Sequence, residues 1–214
     1  FSFSNELYLY ISEPIRVYLP DNLSMIATEV ASPFLTPFKL TLVLSVFAAM
    51  PYILYQTWAF LAPGLYKREK KIVLPLFFSS VVLFYSGMAF AYYVVFPLVF
   101  MFFTSIVPEG ISVMPDIRSY LDFVLKLFFA FGLSFEIPIA VVILSWMGAV
   151  EPDNLAKKRP YVFVLCFILG MLLTPPDIIS QTLLAIPMWL LFEVGILFGR
   201  MVAPKKEDGE SLAE

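Results

Sequence analysis

An all-α fold, a polytopic membrane helix bundle, is what this sequence predicts, on three observations. Hydrophobic residues make up 60% of 214 and charged residues only 14%, with a mean hydropathy of +0.86, outside the usual range of a soluble domain. Apolar runs long enough to approach or exceed a bilayer's thickness recur along the chain, separated by short polar turns. Ten of the fourteen Lys and Arg fall in alternate connections between those runs, the asymmetry of a multi-pass protein. A strand barrel needs segments of about ten residues with alternating polarity. The aromatic content of 17%, Phe above all, suits lipid-facing helices better.

Taken in order, residues 1–39 precede the first span. The opening FSFSNELYLY has no charged n-region or cleavage site, so it does not read as a signal peptide. Residues 5–18 read as a short amphipathic helix ending near Pro20, with Leu7, Ile11, Ile15 and Val17 on its apolar face. Residues 25–39 carry Pro33 and Pro37 and are expected to lie across the interface.

Spans are expected at 40–62, kinked at Pro51; at 72–103, long enough to tilt or protrude; and at 120–149, which holds Lys126 and Glu136. Two more follow at 160–174 and 179–199. The fourth is boxed between Pro160 and the pair Pro175, Pro176, and its 15 residues reach only ~22 Å against a hydrocarbon core of about 30 Å. The last hairpin is therefore expected in a locally thinned bilayer or tucked beside longer helices.

Loops 63–71 and 150–159 and the tail 200–214 hold the ten cations and are expected to be cytoplasmic; Arg16, Lys39, Arg118 and Lys126 lie on the other, periplasmic side. The tail PKKEDGESLAE reads as polar and disordered. A chain that starts outside and ends inside is expected to follow at least one further N-terminal span.

Absences narrow the chemistry. With no histidine, the commonest general base and transition-metal ligand is missing, and a lone Cys166 in an apolar run supports neither a disulfide framework nor a cysteine metal site. Rhomboid-like serine sites and histidine zinc sites fail on the same count, and no pair of intramembrane aspartates or phosphate-cradling glycine loop is present. The chain reads as no enzyme, with no cofactor, metal or nucleic-acid partner.

What remains is polarity placed where it is costly. Glu136 sits near the middle of the third span, two residues before Pro138, which frees the carbonyl of Ser134 and should kink the helix into a polar notch. It reads either as a docking or gating point or as a hydrogen-bonded structural acid. Gln181 reads equally as internal glue or as a partner contact. Glu193 is expected to snorkel toward Arg200, Lys126 toward the outer surface, and Asp177 to cap the helix that follows it.

In Trp58 to Lys71, WAFLAPGLYKREKK, Pro63 and Gly64 break the helix, and Lys67, Arg68, Lys70 and Lys71 surround the lone carboxylate Glu69. That acid is either a member of a solvated charge run or, beside Phe60, Leu61, Leu65 and Tyr66, an acceptor for an arginine-bearing ligand with an apolar part.

Six blocks, MIATEVASPF (25–34), YQTWAFLAPGLYKREKK (55–71), YSGMAFAYYVVFPL (85–98), FAFGLSFEIPIAVV (129–142), KKRPYV (157–162) and GMLLTPPDIISQTLLAIPM (170–188), resemble the TatC family, the core subunit of the twin-arginine translocase, and its proteobacterial members most. The resemblance implies six spans with both termini cytoplasmic, so five here and a missing first helix. It also implies a multi-pass protein of the bacterial inner membrane that receives signal peptides with paired arginines on folded cargo proteins.

Such a receptor recruits the single-span subunits TatB and TatA, assembles with further copies of itself among membrane lipids, and works on the proton-motive force. Phe60, Pro63, Leu65, Tyr66 and Glu69 match the family's recognition loop; Glu136 matches its mid-membrane acid and Gln181 its partner-contacting position; Pro14 and Asp177 match further family positions. The alternative is a secondary transporter or channel with Glu136 as ion site, against which stand the single acid and the lack of inverted repeats.

Overall fold

In a bilayer every backbone polar group must be paired internally, so long apolar runs fold as helices. The computed structural model describes residues 4–13, 25–61, 70–106, 114–174 and 177–203, which form helices joined by short turns, with one isolated bridge and no strand among those residues. The short helix α1 (Ser4–Ile11) is followed by α2 (Ser32–Leu61) and α3 (Lys70–Phe90). A π-helical turn, Ala91–Val95, joins α3 to α4 (Phe96–Ser105). Then come α5 (Ile117–Ser134), α6 (Ile137–Trp146), the single turn α7 (Pro152–Lys157), α8 (Arg159–Leu173) and α9 (Ile178–Val202).

Among the described residues four stretches are long and apolar enough to cross a membrane: Ser32–Thr57, Leu74–Ser105, Ile117–Trp146 and Ile178–Val202. The apolar helix α8 has only 15 residues, or ~22 Å. The first long helix differs from expectation, since α2 starts at Ser32 and takes in 32–39, expected to lie across the interface. Pro33 falls in its first turn, where a missing amide costs nothing. Of the amphipathic helix expected over 5–18, α1 ends at Ile11, and residues 14–18 lie outside the described ones.

Proline inside a membrane helix frees a carbonyl four residues earlier, and that carbonyl needs another donor. Pro51 frees Phe47, whose oxygen accepts a bond of 2.9 Å from the Tyr85 hydroxyl of α3. Pro51 lies within the unbroken helix α2, and the carbonyl it frees serves as a cross-helix tie. Pro138 acts on the third span: the helix breaks between Ser134 and Ile137, and the Glu136 amide tightens onto the Leu133 carbonyl at 3.1 Å.

Aromatic rings stand on the exposed faces expected of them, among them Phe78, Tyr93 and Phe198, and they also fill the core. Phe84, Phe96 and Phe131 are fully buried, and Phe47 meets Phe84 and Phe128 at centroid distances of 6.3 and 6.2 Å. Lipid tails are as apolar as Phe, so helices associate through close packing rather than exclusion from water. Large rings serve that end where a small residue faces them: a Cβ on Gly132 would come within 2.7 Å of the Phe84 ring. Between α6 and α9, a Cβ on Gly195 would meet the Pro138 backbone at 3.0 Å.

At one end of the bundle, Tyr120 of α5 donates to the Ile11 carbonyl (2.8 Å), and Tyr92 donates to the Tyr10 carbonyl (3.0 Å) while stacking on its ring, so α1 is pinned across the helix ends. Asp116 caps α5 through the Ser119 amide and also accepts from the Thr28 amide and hydroxyl. At the opposite end, Leu54, Leu76 and Phe77 pack against Ile139 and Ile143. The end of α2, the start of α3 and the end of α6 therefore share that face.

Candidate functional site

Glu136 lies in the break between α5 and α6, held there because Pro138 supplies no amide to the Ser134 carbonyl. Its Oε2 accepts a 2.5 Å hydrogen bond from the Ser80 hydroxyl of α3, while Oε1 is buried without a partner among the described residues. The notch therefore differs from the expected one in its hydroxyl: Ser134 donates back to the Ala130 carbonyl at 2.6 Å, and Ser80 serves the acid instead. A serine one turn back satisfies its own helix more readily than a carboxylate turned away from it. Ser80 was legible only as half of a serine pair in the apolar run FFSSVV. What the notch offers chemically is one free acceptor oxygen inside the membrane.

Gln181 and Asp177 sit at the start of α9. Asp177 Oδ2 accepts from the Ser180 amide at 2.7 Å, the capping expected of it; Asp177 Oδ1 and the Ser180 hydroxyl are buried without partners among the described residues. The half-buried Gln181 side chain makes no hydrogen bond among the described residues, although its backbone lies close enough to Gly170 of α8 that a Cβ there would come within 3.3 Å. Glu136 and Gln181 do not form one site: Gly195, which meets the helix beside Glu136, is fourteen residues or about 21 Å along α9 from Gln181.

Ion pairs at the cation-rich end correct one expectation. Glu193 does not reach for Arg200, seven residues or ~10.5 Å along the same helix. It accepts both arms of Arg159 on α8, at 2.6 and 2.7 Å, because a planar guanidinium matches a carboxylate edge to edge. Arg200 pairs with Asp153 of α7 at 2.9 Å. Lys126 is exposed.

Of the residues matched to the recognition loop, Pro63, Leu65, Tyr66 and Glu69 lie outside the described residues, as does Pro14; Phe60 falls in the last turn of α2. The described helix ends bracket that loop. It runs from Leu61 of α2 to Lys70 of α3, at the end where α6 finishes and the Arg159–Glu193 and Arg200–Asp153 pairs sit.

Known proteins share this arrangement. Residues 1–187 match the family model described as Sec-independent protein translocase protein (TatC). A Sec-independent protein translocase protein TatC of Azotobacter chroococcum is 58% identical over 211 residues, covering 99% of this chain and 83% of that protein. That of Escherichia coli is 57% identical over 208 residues, covering 97% of this chain and 81% of the other. A solved structure described as the crystal structure of twin arginine translocase receptor TatC superposes with a TM-score of 0.85 at 34% identity, over 94% of this chain and 88% of that one.

Proposed function

The chain belongs to the TatC family of Sec-independent protein translocase proteins, and from that premise we propose that it is the receptor and core subunit of the twin-arginine translocase, binding Arg-Arg signal peptides through the loop between α2 and α3. It is a multi-pass protein of the bacterial inner membrane and a component of a protein translocase. The observation that carries the receptor reading is the close superposition on a protein described as a twin arginine translocase receptor.

In this reading Glu69 accepts the guanidinium groups at the cytoplasmic surface through charge-assisted hydrogen bonds, and Phe60, Pro63, Leu65 and Tyr66 line the approach of the apolar part of the peptide. The single-span partners TatB and TatA meet the membrane face of the bundle. Glu136 supports that role with an acceptor oxygen left unpaired, and Gln181 with a side chain bonded to nothing in its own bundle among the described residues. A helix bearing a hydroxyl or amide donor would complete either one. Further copies of the chain and surrounding lipid complete the assembly, with the chain starting at the periplasmic side and ending at the cytoplasmic side.

The test is photocrosslinking of an Arg-Arg signal peptide, with a Lys-Lys peptide as control. Glu69→Ala and Glu69→Lys are expected to lower Arg-Arg crosslinking at least tenfold, to the level of the Lys-Lys peptide. Equal crosslinking by variant and parent would remove Glu69 from the site.

A further inference from the structure

We propose that α6, α7 and the second half of α9 move as one rigid unit that pivots at Pro138 and Pro187, with the Ser80–Glu136 hydrogen bond as the latch that holds it against α3. Close packing defines the unit. A Cβ on Gly195 of α9 would stand 3.0 Å from the Pro138 backbone, and one on Gly199 would stand 2.9 Å from the Ser145 hydroxyl, so α9 and α6 fit without slack. Arg200 ties α7 to the same helix through Asp153, and Arg159 ties the start of α8 to Glu193.

The rest of the bundle packs on itself. A Cβ on Gly87 of α3 would come within 2.5 Å of the Phe131 carbonyl of α5, before the break. Leu184, Ala185 and Met188, in the first half of α9, belong to the same core as Phe84, Phe96 and Phe131. Both the broken helix α5–α6 and the helix α9 pass from this core into the unit, and each carries a proline at the crossing. Pro138 follows the break after Ser134, and Pro187 frees the Leu183 carbonyl beside the last core residue of α9. A helix bends most readily where such a bond is missing.

Across the seam the packing is loose. Among the described residues, no side chain of α2 beyond Met50 and none of α3 before Ser80 is buried. Leu54, Leu76 and Phe77, which touch Ile139 and Ile143, are half-buried. Lipid tails replace contacts of that kind at little cost. The bond from Ser80 to Glu136, at 2.5 Å, is directional and lies where the seam begins. Releasing it frees both carboxylate oxygens for a helix entering from the α7 end. The pivot stands apart from the receptor reading; what enters rests on it.

The experiment is double electron–electron resonance in lipid nanodiscs, on Cys166→Ser protein spin-labelled at exposed positions. Leu74→Cys with Leu197→Cys spans the seam, and Leu42→Cys with Met101→Cys stays within the core. The seam pair is expected to show a main and a longer distance, and the core pair one distance. Ser80→Ala removes one hydrogen bond and is expected to raise the longer-distance share about fivefold, with the core pair unchanged. Pro138→Ala restores the missing amide and is expected to reduce the seam pair to one distance. A seam distribution that Ser80→Ala leaves unchanged would overturn the proposal. So would a seam pair that lengthens only together with the core pair, since that is loss of packing and not a pivot.

Discussion

Glu136 owes its position to a backbone defect and its pairing to another helix. Pro138 opens the turn, and Ser80 of α3 fills one carboxylate oxygen while the other stays open. Replacement by Gln keeps a carbonyl acceptor and a group that can bond Ser80, so Glu136→Gln is expected to transport nearly as well as the parent. Glu136→Ala leaves the buried Ser80 hydroxyl unpaired, a loss of about 1–3 kcal/mol. At this chain length that lowers the melting temperature by a few degrees per kcal/mol, read as thermal unfolding in detergent. Transport is expected to fall at least tenfold in the same variant, and loss of transport on Gln substitution would show instead that the ionised acid is required. Pro138 and Glu136 could be read from the sequence as a notch, because both act within one turn. Ser80 could not, because nothing local links residue 80 to residue 136.

Among the elements, α5 shows how a cap is shared. Asp116 accepts from the Ser119 amide, as any N-cap does, and reaches across to the amide and hydroxyl of Thr28 in the segment before α2. The bridge between Ile26 and Asp116 aligns the two strands of chain, with the Ile26 amide on the Pro115 carbonyl at 3.0 Å and the Ile117 amide on the Ile26 carbonyl at 2.9 Å.

Hydrogen bonds from the Ser119 and Thr28 amides hold the Asp116 carboxyl down at about 2. A lowered pKa favours the folded state at pH values above the ordinary carboxylate range, and that contribution fades as pH falls through about 2. The melting temperature of Asp116→Asn is thus expected to lie below that of the parent from pH 7 down to pH 4, with the gap closing between pH 4 and pH 2. A gap that stays constant across that range would mean that the carboxylate's charge plays no part in the cap. The N-cap role follows from Asp before an apolar run, a local pattern. The tie to Thr28 spans 88 residues and leaves no trace in periodicity.

For the whole molecule, the alternation of helices puts the end of α2, the start of α3, the turn α7 and the end of α9 at one end, opposite α1 and the bridge at Ile26. By the cation bias, the first of these ends is proposed to be the cytoplasmic one. Cys166 is buried and is the only cysteine, so Cys166→Ser gives a clean background for labelling. In intact cells, a membrane-impermeant maleimide is expected to label Val30→Cys and to leave Asn154→Cys unlabelled until the membrane is opened. Both positions are exposed, so the reversed pattern would invert the topology and put Glu69 on the wrong side for a cytoplasmic signal peptide.

The sequence by itself determined the class of the molecule, the order of its apolar segments, the shortness of α8, the break at Pro138 and the cap at Asp177, since each of these is set within a few residues by hydropathy, proline or a side chain's own backbone. Its long blocks also carried the family. Tertiary structure alone decided that Tyr85 takes the carbonyl freed by Pro51, that Ser80 serves Glu136, that Arg159 and not Arg200 holds Glu193, and which phenylalanines fill the core and which stay on the outer surface. In a membrane apolar residues are equally at home inside or outside the bundle, so hydrophobicity gives no sign of which face packs; only the fit of rings against glycines and of donors against freed acceptors makes that choice.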